Sequence, residues 1–201
     1  MSDFTALRAV SLTLQTLLDQ EITKSDNIEV GGSTGAIKVW LDSPKVLRET
    51  KMPCISLWLY MIRREPDTLN QPPERPMASL VRRRPLPLTL HYLVCALHDD
   101  PASEQTLLGK VAQVFNDHAI ISPGELMDSL AGEDQELRVV LDAPTLEELA
   151  RVWDSLNEPY QLSLAYTVQV VSIDSGRDAA VRPPVLVSTQ QPLQIVGGGA
   201  A

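Results

Sequence analysis

Residues 144–174, PTLEELARVWDSLNEPYQLSLAYTVQVVSID, set the fold class because a helical period changes to a strand period across one short turn. Thr145 and Glu148 form a T-x-x-E capping box, which is typical of a helix N-terminus. Asn157 tolerates the left-handed conformation that ends many helices, and Pro159 cannot continue one. Apolar residues at helical spacing predict one buried stripe between these limits: Leu146, Leu149, Val152, Trp153 and Leu156.

From Tyr160 onward the apolar period is two, which predicts a strand with one apolar face and one more polar face. The predicted apolar face comprises Tyr160, Leu162, Leu164, Tyr166, Val168 and Val170. After Val170 the apolar positions move from even to odd numbers, at Val171 and Ile173. A phase change of one residue predicts a β-bulge near Val170, or burial of both faces there.

The rest of the chain alternates predicted strands with capped helices. Strands are predicted at residues 28–30, 37–41, 54–63, 88–97 and 137–141, and helices at about 3–22, from 100 onward and at about 122–130. The first helix is predicted to begin at an Asp3 cap and to bury Phe4, Leu7, Val10, Leu14, Leu17 and Leu18. All three tryptophans lie among apolar neighbours and are expected to be buried. Strands outnumber helices and the connections are too short for regular crossovers, so the pattern predicts an α+β fold with a mostly antiparallel sheet.

The composition narrows the classes of protein to which the chain can belong. The chain has 201 residues and a formal net charge of −9, which argues against a nucleic-acid partner because phosphates must be neutralised by a basic surface. No apolar run approaches membrane-spanning length, so we expect no membrane insertion and synthesis as a cytoplasmic protein. Cys54 and Cys95 lie in apolar, strand-like runs, which favours two small buried hydrophobes over a disulfide.

Two segments lack the pattern of apolar residues seen in the rest of the chain. One lies inside the predicted domain at residues 1–175, and the other follows it. Residues 65–87 contain six prolines and no strand or helix period, which predicts a long loop with a functional role or no fixed structure. Residues 176–201 lose the core pattern and predict an extended C-terminal arm. Two β-prone runs, at residues 185–189 and 193–196, lie within this arm.

The one cluster of side chains that could carry chemistry is His98, Asp99, Asp100 and Glu104. Histidine and carboxylates bind divalent metals, yet Asp100 suits a helix cap and Glu104 suits the first helical turn. Ordinary helix-start chemistry therefore accounts for this cluster without a metal. The sequence has no Gly-x-Ser-x-Gly motif, and residues 107–110 lack the glycine and hydroxyl positions of a phosphate loop. We expect no catalytic residues and no cofactor.

Arg82, Arg83 and Arg84 form the basic cluster of this acidic chain. Such a run is commonly a solvated patch. Its place in a long proline-rich loop also fits docking, because arginine forks match carboxylates. An acidic rim on a partner ring is the suggested target.

Residues 88–111, LTLHYLVCALHDDPASEQTLLGKV, together with residues 144–174 resemble the tail-terminator or cap proteins of bacterial contractile injection systems. These phage-tail-like particles include the antifeeding-prophage and virulence-cassette types. The resemblance covers roughly residues 4–174 and rests on the order of the motifs: strand, Asp-Pro helix start, Leu-Leu-Gly, a helix ending in Trp-x-x-Leu, then Pro-Tyr-x-Leu-Ser-Leu-x-Tyr. It implies a curved sheet flanked by helices. It also implies a ring, sixfold in this family, that closes the inner tube and anchors the last sheath layer.

The resemblance implies three partners: further copies of the chain in a hexameric ring, the inner-tube protein and the sheath protein. The residues expected to contact partners are Arg82, Arg83, Arg84, Val185, Leu186, Val187, Leu193 and Ile195. We expect assembly in the bacterial cytoplasm, within a particle that is later released or tethered to a membrane. Three alternatives stay open: a related terminator or connector of a phage-like tail, a monomeric peptide- or carbohydrate-binding module, and a hydrolase.

Overall fold

The computed structural model describes residues 3–24, 37–65, 74–77, 80–82, 85–133, 135–176 and 180–181. The chain divides into two compact units. We call Met1–Gln71 with Pro85–Gly176 the body, and Pro72–Arg84 with Arg177–Ala201 the small unit. This division does not test the predicted boundary between a domain at residues 1–175 and an arm, which stays a prediction.

The described residues form helices and strands in the following order. The helices are α1 (Ala6–Thr23), α2 (Pro44–Glu49), α3 (Pro101–Asp117) and α4 (Leu146–Leu156), with 3-10 turns at Pro123–Glu125 and Asp128–Leu130. The strands are β1 (Lys38–Trp40), β2 (Cys54–Arg64), β3 (Glu74–Met77), β4 (Leu80–Arg82), β5 (Leu86–Leu97), β6 (Ile120–Ile121), β7 (Leu137–Asp142), β8 (Leu164–Ile173) and β9 (Ala180–Val181).

The body is built on a six-stranded sheet in the order β1-β2-β5-β8-β7-β6. The β1–β2 pair is parallel, and the other four pairs are antiparallel. The sheet is curled and flanked by helices. This arrangement confirms the predicted α+β fold with a mostly antiparallel, curved sheet.

Strand β5 lies inside this sheet and is covered on both faces. Eleven of its twelve residues are buried, the exception being Leu86. Its even-numbered side chains pack in the main core, where α1 and α3 contribute Leu14, Leu18, Leu107 and Val111. Its odd-numbered side chains Leu93 and Cys95 pack against Trp153 of α4 on the opposite face. A strand buried on both faces reads as a nearly continuous apolar run, as the sequence of β5 does.

The local signals around α4 and β8 are confirmed. Thr145 Oγ1 accepts a hydrogen bond from the Glu148 backbone N–H at 3.3 Å, and the Glu148 carboxylate accepts one from the Thr145 N–H at 2.8 Å. Asn157 ends the helix in the left-handed region, at φ 55°. In the β5–β8 register Leu88 pairs with Val171 but Leu90 pairs with Val168, so an extra β8 residue bulges at the predicted place.

Several predictions about burial and element boundaries are wrong. Helix α1 begins at Ala6, so Phe4 lies before it and is 81% exposed. Trp40 is 45% exposed because β1 is an edge strand. Strand β8 begins at Leu164, four residues later than predicted, and Tyr160 and Leu162 are exposed. The short helix predicted from residue 122 to 130 is two 3-10 turns, and α2, β6 and the three short strands described next were not predicted.

The small unit contains a three-stranded antiparallel sheet in the order β3-β4-β9. The segment expected to lack strands therefore contains two, β3 and β4. Strand β9 pairs with β4 through Leu80–Val181 and Val81–Ala180, although about a hundred residues separate them in sequence. The predicted β-prone runs at residues 28–30, 185–189 and 193–196 lie outside the described residues.

We expect Trp153→Ala to lower the free energy of unfolding by about 3–5 kcal/mol, because it leaves a cavity beneath α4. Trp153 is 1% exposed and packs on Leu93 and Cys95. Trp40→Ala is the matched control, since the side chain at position 40 is 45% exposed and its removal should cost far less. Equilibrium urea unfolding measures both variants. Equal losses would contradict the assignment of Trp153 to the core.

Candidate functional site: the edges of the large sheet

The outer edge of β1 is closed by side chains of α1. The Val39 backbone N–H donates to Asp19 Oδ1 at 2.9 Å, and Gln15 Nε2 donates to the Val39 carbonyl at 2.7 Å. In a parallel pair both main-chain groups of one residue point to the same side. The bonds to α1 thus occupy the N–H and the carbonyl that an added strand would need.

Gln15 and Asp19 reach one strand residue together because they are four residues apart on α1 and so share a helix face. The neighbouring buried residues Leu14 and Leu18 fix that face against the core. In the sequence, Gln15 and Asp19 look like ordinary polar residues at the border between the buried and the exposed face of a helix. The closed edge was therefore missed by sequence analysis.

The opposite edge of the sheet is open along part of β7. Strand β6 pairs only with Leu137 and Arg138, and the Ala119 carbonyl accepts the Val139 N–H at 2.9 Å. Beyond Val139 no described strand lies along the outer side of β7. The alternation of an antiparallel ladder points the main chain of Leu141 outward, in the same direction as that of Val139. An unpaired edge of this kind accepts an added strand.

Exposed large apolar side chains lie on β7 and on the elements that follow it in the chain. Val140 is 46% exposed and Leu141 is 56% exposed. The next elements along the chain carry Leu146 at 67%, Tyr160 at 46% and Leu162 at 51% exposure. The sequence assigned Leu146, Tyr160 and Leu162 to buried faces, because periodicity cannot distinguish a face that packs inside one chain from a face that a partner covers.

A cavity of about 370 Å³ lies beside β7, with His91, Arg63 and Asp142 among its lining residues. Burial lowers the pKa of His91, and the nearby Arg63 charge lowers it further. The imidazole is therefore neutral near pH 7. His91 Nδ1 lies 3.9 Å from Asp142 Oδ2, which is too long for a hydrogen bond. The His91 imidazole and the Asp142 carboxylate are therefore not hydrogen-bonded to each other.

The His98–Glu104 cluster forms the start of α3. Asp100 accepts the Ser103 N–H at 2.9 Å and the Ser103 hydroxyl at 2.7 Å, and these bonds lower the Asp100 pKa. The Asp100 N–H donates to His98 Nδ1 at 2.9 Å. Glu104 accepts the His98 N–H at 3.3 Å. Local contacts account for the cluster, and no group of three metal-ligating side chains occurs among the described residues.

Both cysteines are free and buried, as the sequence predicted. Burial raises the pKa of each thiol, so both thiols stay protonated at neutral pH. Protonated, inaccessible thiols are poor nucleophiles. They pack as small apolar side chains.

Among the residues expected to contact partners, Arg82 is the last residue of β4, where its backbone is opposite Glu74 of β3. Arg83, Arg84, Val185, Leu186, Val187, Leu193 and Ile195 lie outside the described residues. Their role in partner binding therefore stays a prediction. In the part of the chain that the structure describes, no helix has the length and apolar character required to cross a bilayer.

A family model for the Pvc16 N-terminal domain matches residues 9–186 of the chain. The chain belongs to the Pvc16 N-terminal domain family. The match includes both motif-bearing segments that suggested injection-system caps, together with residues of both units. No curated protein matches this family member.

Two solved structures share the fold of this Pvc16-type domain. A sheath/tube terminator of an extracellular contractile injection system, PVC, in its extended state, matches with a TM-score of 0.59 and 18% identity, over 98% of this chain and 67% of that one. The tube-terminating cap of the anti-feeding prophage matches with a TM-score of 0.51 and 16% identity, over 95% of this chain and 62% of that one. At these identities the likeness establishes the fold.

We expect Asp19→Ala to destabilise the body by about 1–3 kcal/mol, because it leaves the Val39 N–H without its acceptor. Val39 is 2% exposed. The matched control is Asp19→Asn, which keeps an Oδ1 acceptor and should cost much less. Urea unfolding of both variants measures the difference. If the alanine and asparagine variants unfold alike, the Asp19–Val39 bond does not support the edge.

Proposed function

We propose that this protein is the structural cap of a contractile, phage-tail-like injection particle. In this role it terminates the inner tube and anchors the last layer of the sheath. The observation that carries the proposal is the match of 98% of the chain to the fold of a sheath/tube terminator. Membership of the Pvc16 N-terminal domain family supports the same assignment.

The unequal edges of the large sheet suit termination. A tube grows by head-to-tail stacking, and a heterologous interface continues until a subunit binds without offering the next interface. In the body, Asp19 and Gln15 occupy the β1 edge, whereas β7 keeps an open stretch. A subunit with one closed edge and one open edge can join a strand-mediated assembly without extending it from both sides.

We propose that the chain works as a ring of identical subunits, with the hexamer expected from the resemblance. The tube and sheath proteins are its proposed partners. Residues 182–196 are proposed to lie across a neighbouring subunit or a sheath domain as an added strand. Strand addition draws its affinity from main-chain hydrogen bonds, so it needs an open edge instead of a distinctive side-chain motif. Assembly in the bacterial cytoplasm is part of this proposal.

A structural role also fits the chemistry of the described side chains. The cysteine thiols are buried, the His98 cluster is engaged at a helix start, and His91 lacks a hydrogen-bonded carboxylate. We therefore place the function in backbone and surface complementarity, and propose no catalytic step. The rival carbohydrate-binding module would need an aromatic-lined concave face. Trp58 and Tyr60 are partly buried against the α4 cluster instead.

Particles assembled without this protein should have uncontrolled tube lengths or should lose their sheaths, because nothing blocks the growing end. Electron microscopy of particles from a deletion strain, compared with the complemented strain, measures both properties. Tubes of normal length with retained sheaths would defeat the proposed function.

A second prediction concerns the C-terminal segment. Deleting residues 182–201 should abolish ring assembly or sheath capture while leaving the fold of the body intact. Circular dichroism and thermal unfolding check the fold, and analytical ultracentrifugation with purified sheath protein checks assembly. Unchanged rings that still capture sheath would remove this segment from the mechanism.

A further inference from the structure

The face of the large sheet that α4 covers changes from apolar to polar along β5. Leu93 and Cys95 pack against Trp153 of α4 on this face. Nearer the start of β5, the same face carries Thr89 and His91, and both residues are buried. Buried polar side chains need hydrogen-bond partners, because their removal from water is otherwise unfavourable.

Thr89 has such a partner, whereas one nitrogen of His91 has none. The Thr89 hydroxyl donates to Glu65 Oε2 at 2.8 Å. His91 is only 8% exposed, and its buried Nε2 forms no hydrogen bond with any of the described residues. His91 also lines the cavity of about 370 Å³ beside β7. A bound group in this cavity would complete the hydrogen bonding of the imidazole.

The surroundings of His91 decide which hydrogen-bonding group Nε2 presents. The imidazole is neutral at pH 7, because burial and the Arg63 charge lower its pKa and outweigh the opposite effect of Asp142. A neutral imidazole has one nitrogen that donates and one that accepts. Nδ1 faces the Asp142 carboxylate, with 3.9 Å between Nδ1 and Oδ2. The negative charge of that carboxylate favours the proton on Nδ1, so Nε2 is an acceptor that needs a donor.

The charges around the cavity favour a neutral donor over an ionic one. The ionised lining residues are two arginines and two acids, Arg63, Arg64, Glu65 and Asp142. Their formal charges cancel, so no excess charge offsets the cost of taking an ion out of water. A carboxylate also has no proton to donate to Nε2. The missing group is therefore a neutral N–H or O–H donor.

Among neutral donors, a carboxamide fits the cavity best. Thr167 and Gln169 line the cavity and have groups that both donate and accept hydrogen bonds. A carboxamide can donate to His91 Nε2 and also exchange hydrogen bonds with these two side chains, because it has two protons and a carbonyl oxygen. A hydroxyl has one proton and is smaller, so it would leave more of the cavity unfilled.

The cavity adjoins the open stretch of β7. Val140 and Leu141 line the cavity, and both lie beyond Val139, where no described strand pairs with the outer side of β7. An extended segment bound along this stretch borders the cavity. The position therefore favours a protein segment over a free small molecule as the source of the carboxamide.

We propose that the cavity receives the carboxamide of an asparagine or glutamine from an extended segment of a partner protein, and that this group donates a hydrogen bond to His91 Nε2. The inference rests on the proposed cap function, in which the tube and sheath proteins are the partners. It adds side-chain selection to the pairing of main chains at the β7 edge, since main-chain bonds alone give affinity with little specificity.

Nitrogen-15 NMR of the imidazoles tests the site in the isolated protein. The chain has three histidines, so His98→Gln and His118→Gln assign the signals. We expect His91 to be neutral at pH 7 with its proton on Nδ1. A proton on Nε2, or a charged His91 at pH 7, would overturn the inference.

Calorimetric titration with purified tube protein and purified sheath protein tests the ligand. His91→Leu should weaken binding of the partner that inserts the carboxamide about tenfold, because a buried hydrogen bond is lost. Replacing the inserted asparagine or glutamine by leucine should then add little to this loss, as expected for two groups in direct contact. The matched control is His118→Leu, the same change at a partly exposed histidine outside the cavity lining, which should bind as the wild type does.

The pH dependence distinguishes a hydrogen bond to Nε2 from a purely structural role of His91. A protonated imidazole cannot accept, so affinity should fall as the pH drops through the lowered pKa of His91. His91→Leu should lose this dependence, and His118→Leu should keep it. Histidine is the side chain that ordinarily titrates between pH 5 and 8. The other ionisable groups around His91 are a tyrosine, arginines and carboxylates: Tyr60, Arg63, Arg64, Glu65, Asp142 and Glu148.

The outcomes separate this inference from the proposed function. If tube or sheath protein binds His91→Leu as tightly as the wild type and with the same pH dependence, the carboxamide site is wrong and the cap function stands. Thermal unfolding checks the fold of each variant. If His91→Leu does not fold, the Nε2 resonance of the wild type decides, because it should shift when the partner is added, and an unchanged resonance overturns the site. A wild type that binds neither partner overturns both proposals.

Discussion

Strand β5 is buried on both faces, and the need to pair and cover it governs the arrangement of the body. A strand with eleven of twelve residues buried must be paired along both sides and covered above and below. Strands β2 and β8 supply the pairing. Helices α1 and α3 cover one face, and α4 with α2 covers part of the other. The positions of these helices and strands follow from the need to pair the main chain of β5 and to cover both of its faces.

Pairing the central strands of a sheet leaves the main-chain groups at its two outer edges without a strand partner. The two edges of this sheet meet that need differently. At β1 the main chain is satisfied by Asp19 and Gln15, which α1 can offer only because its apolar stripe already packs on the core. At β7 the two-residue strand β6 ends early. The body therefore has one closed sheet edge and one partly open sheet edge. The proposed terminating subunit requires this asymmetry, because it must bind on one side without offering the next interface.

The proposed function by shape fits the limited chemistry of the described side chains. A strand or surface that binds through main-chain groups and exposed apolar residues requires no nucleophile, metal or perturbed carboxylate pair. The buried cysteines and the His98 side chain, which accepts the Asp100 N–H, fit that view.

Features that depend on neighbours a few residues away could be predicted from the sequence alone. The capping box at Thr145, the left-handed Asn157, the bulge near Val170 and the family motifs were all correct, since each involves local geometry or a short period. Long-range packing instead settled which apolar side chains stay exposed, as at Trp40, and which edge is closed. The pairing of β4 with β9 was likewise invisible in the sequence. These outcomes depend on partners roughly twenty to a hundred residues away. Neither periodicity nor propensity encodes which distant group will satisfy a given N–H or cover a given face.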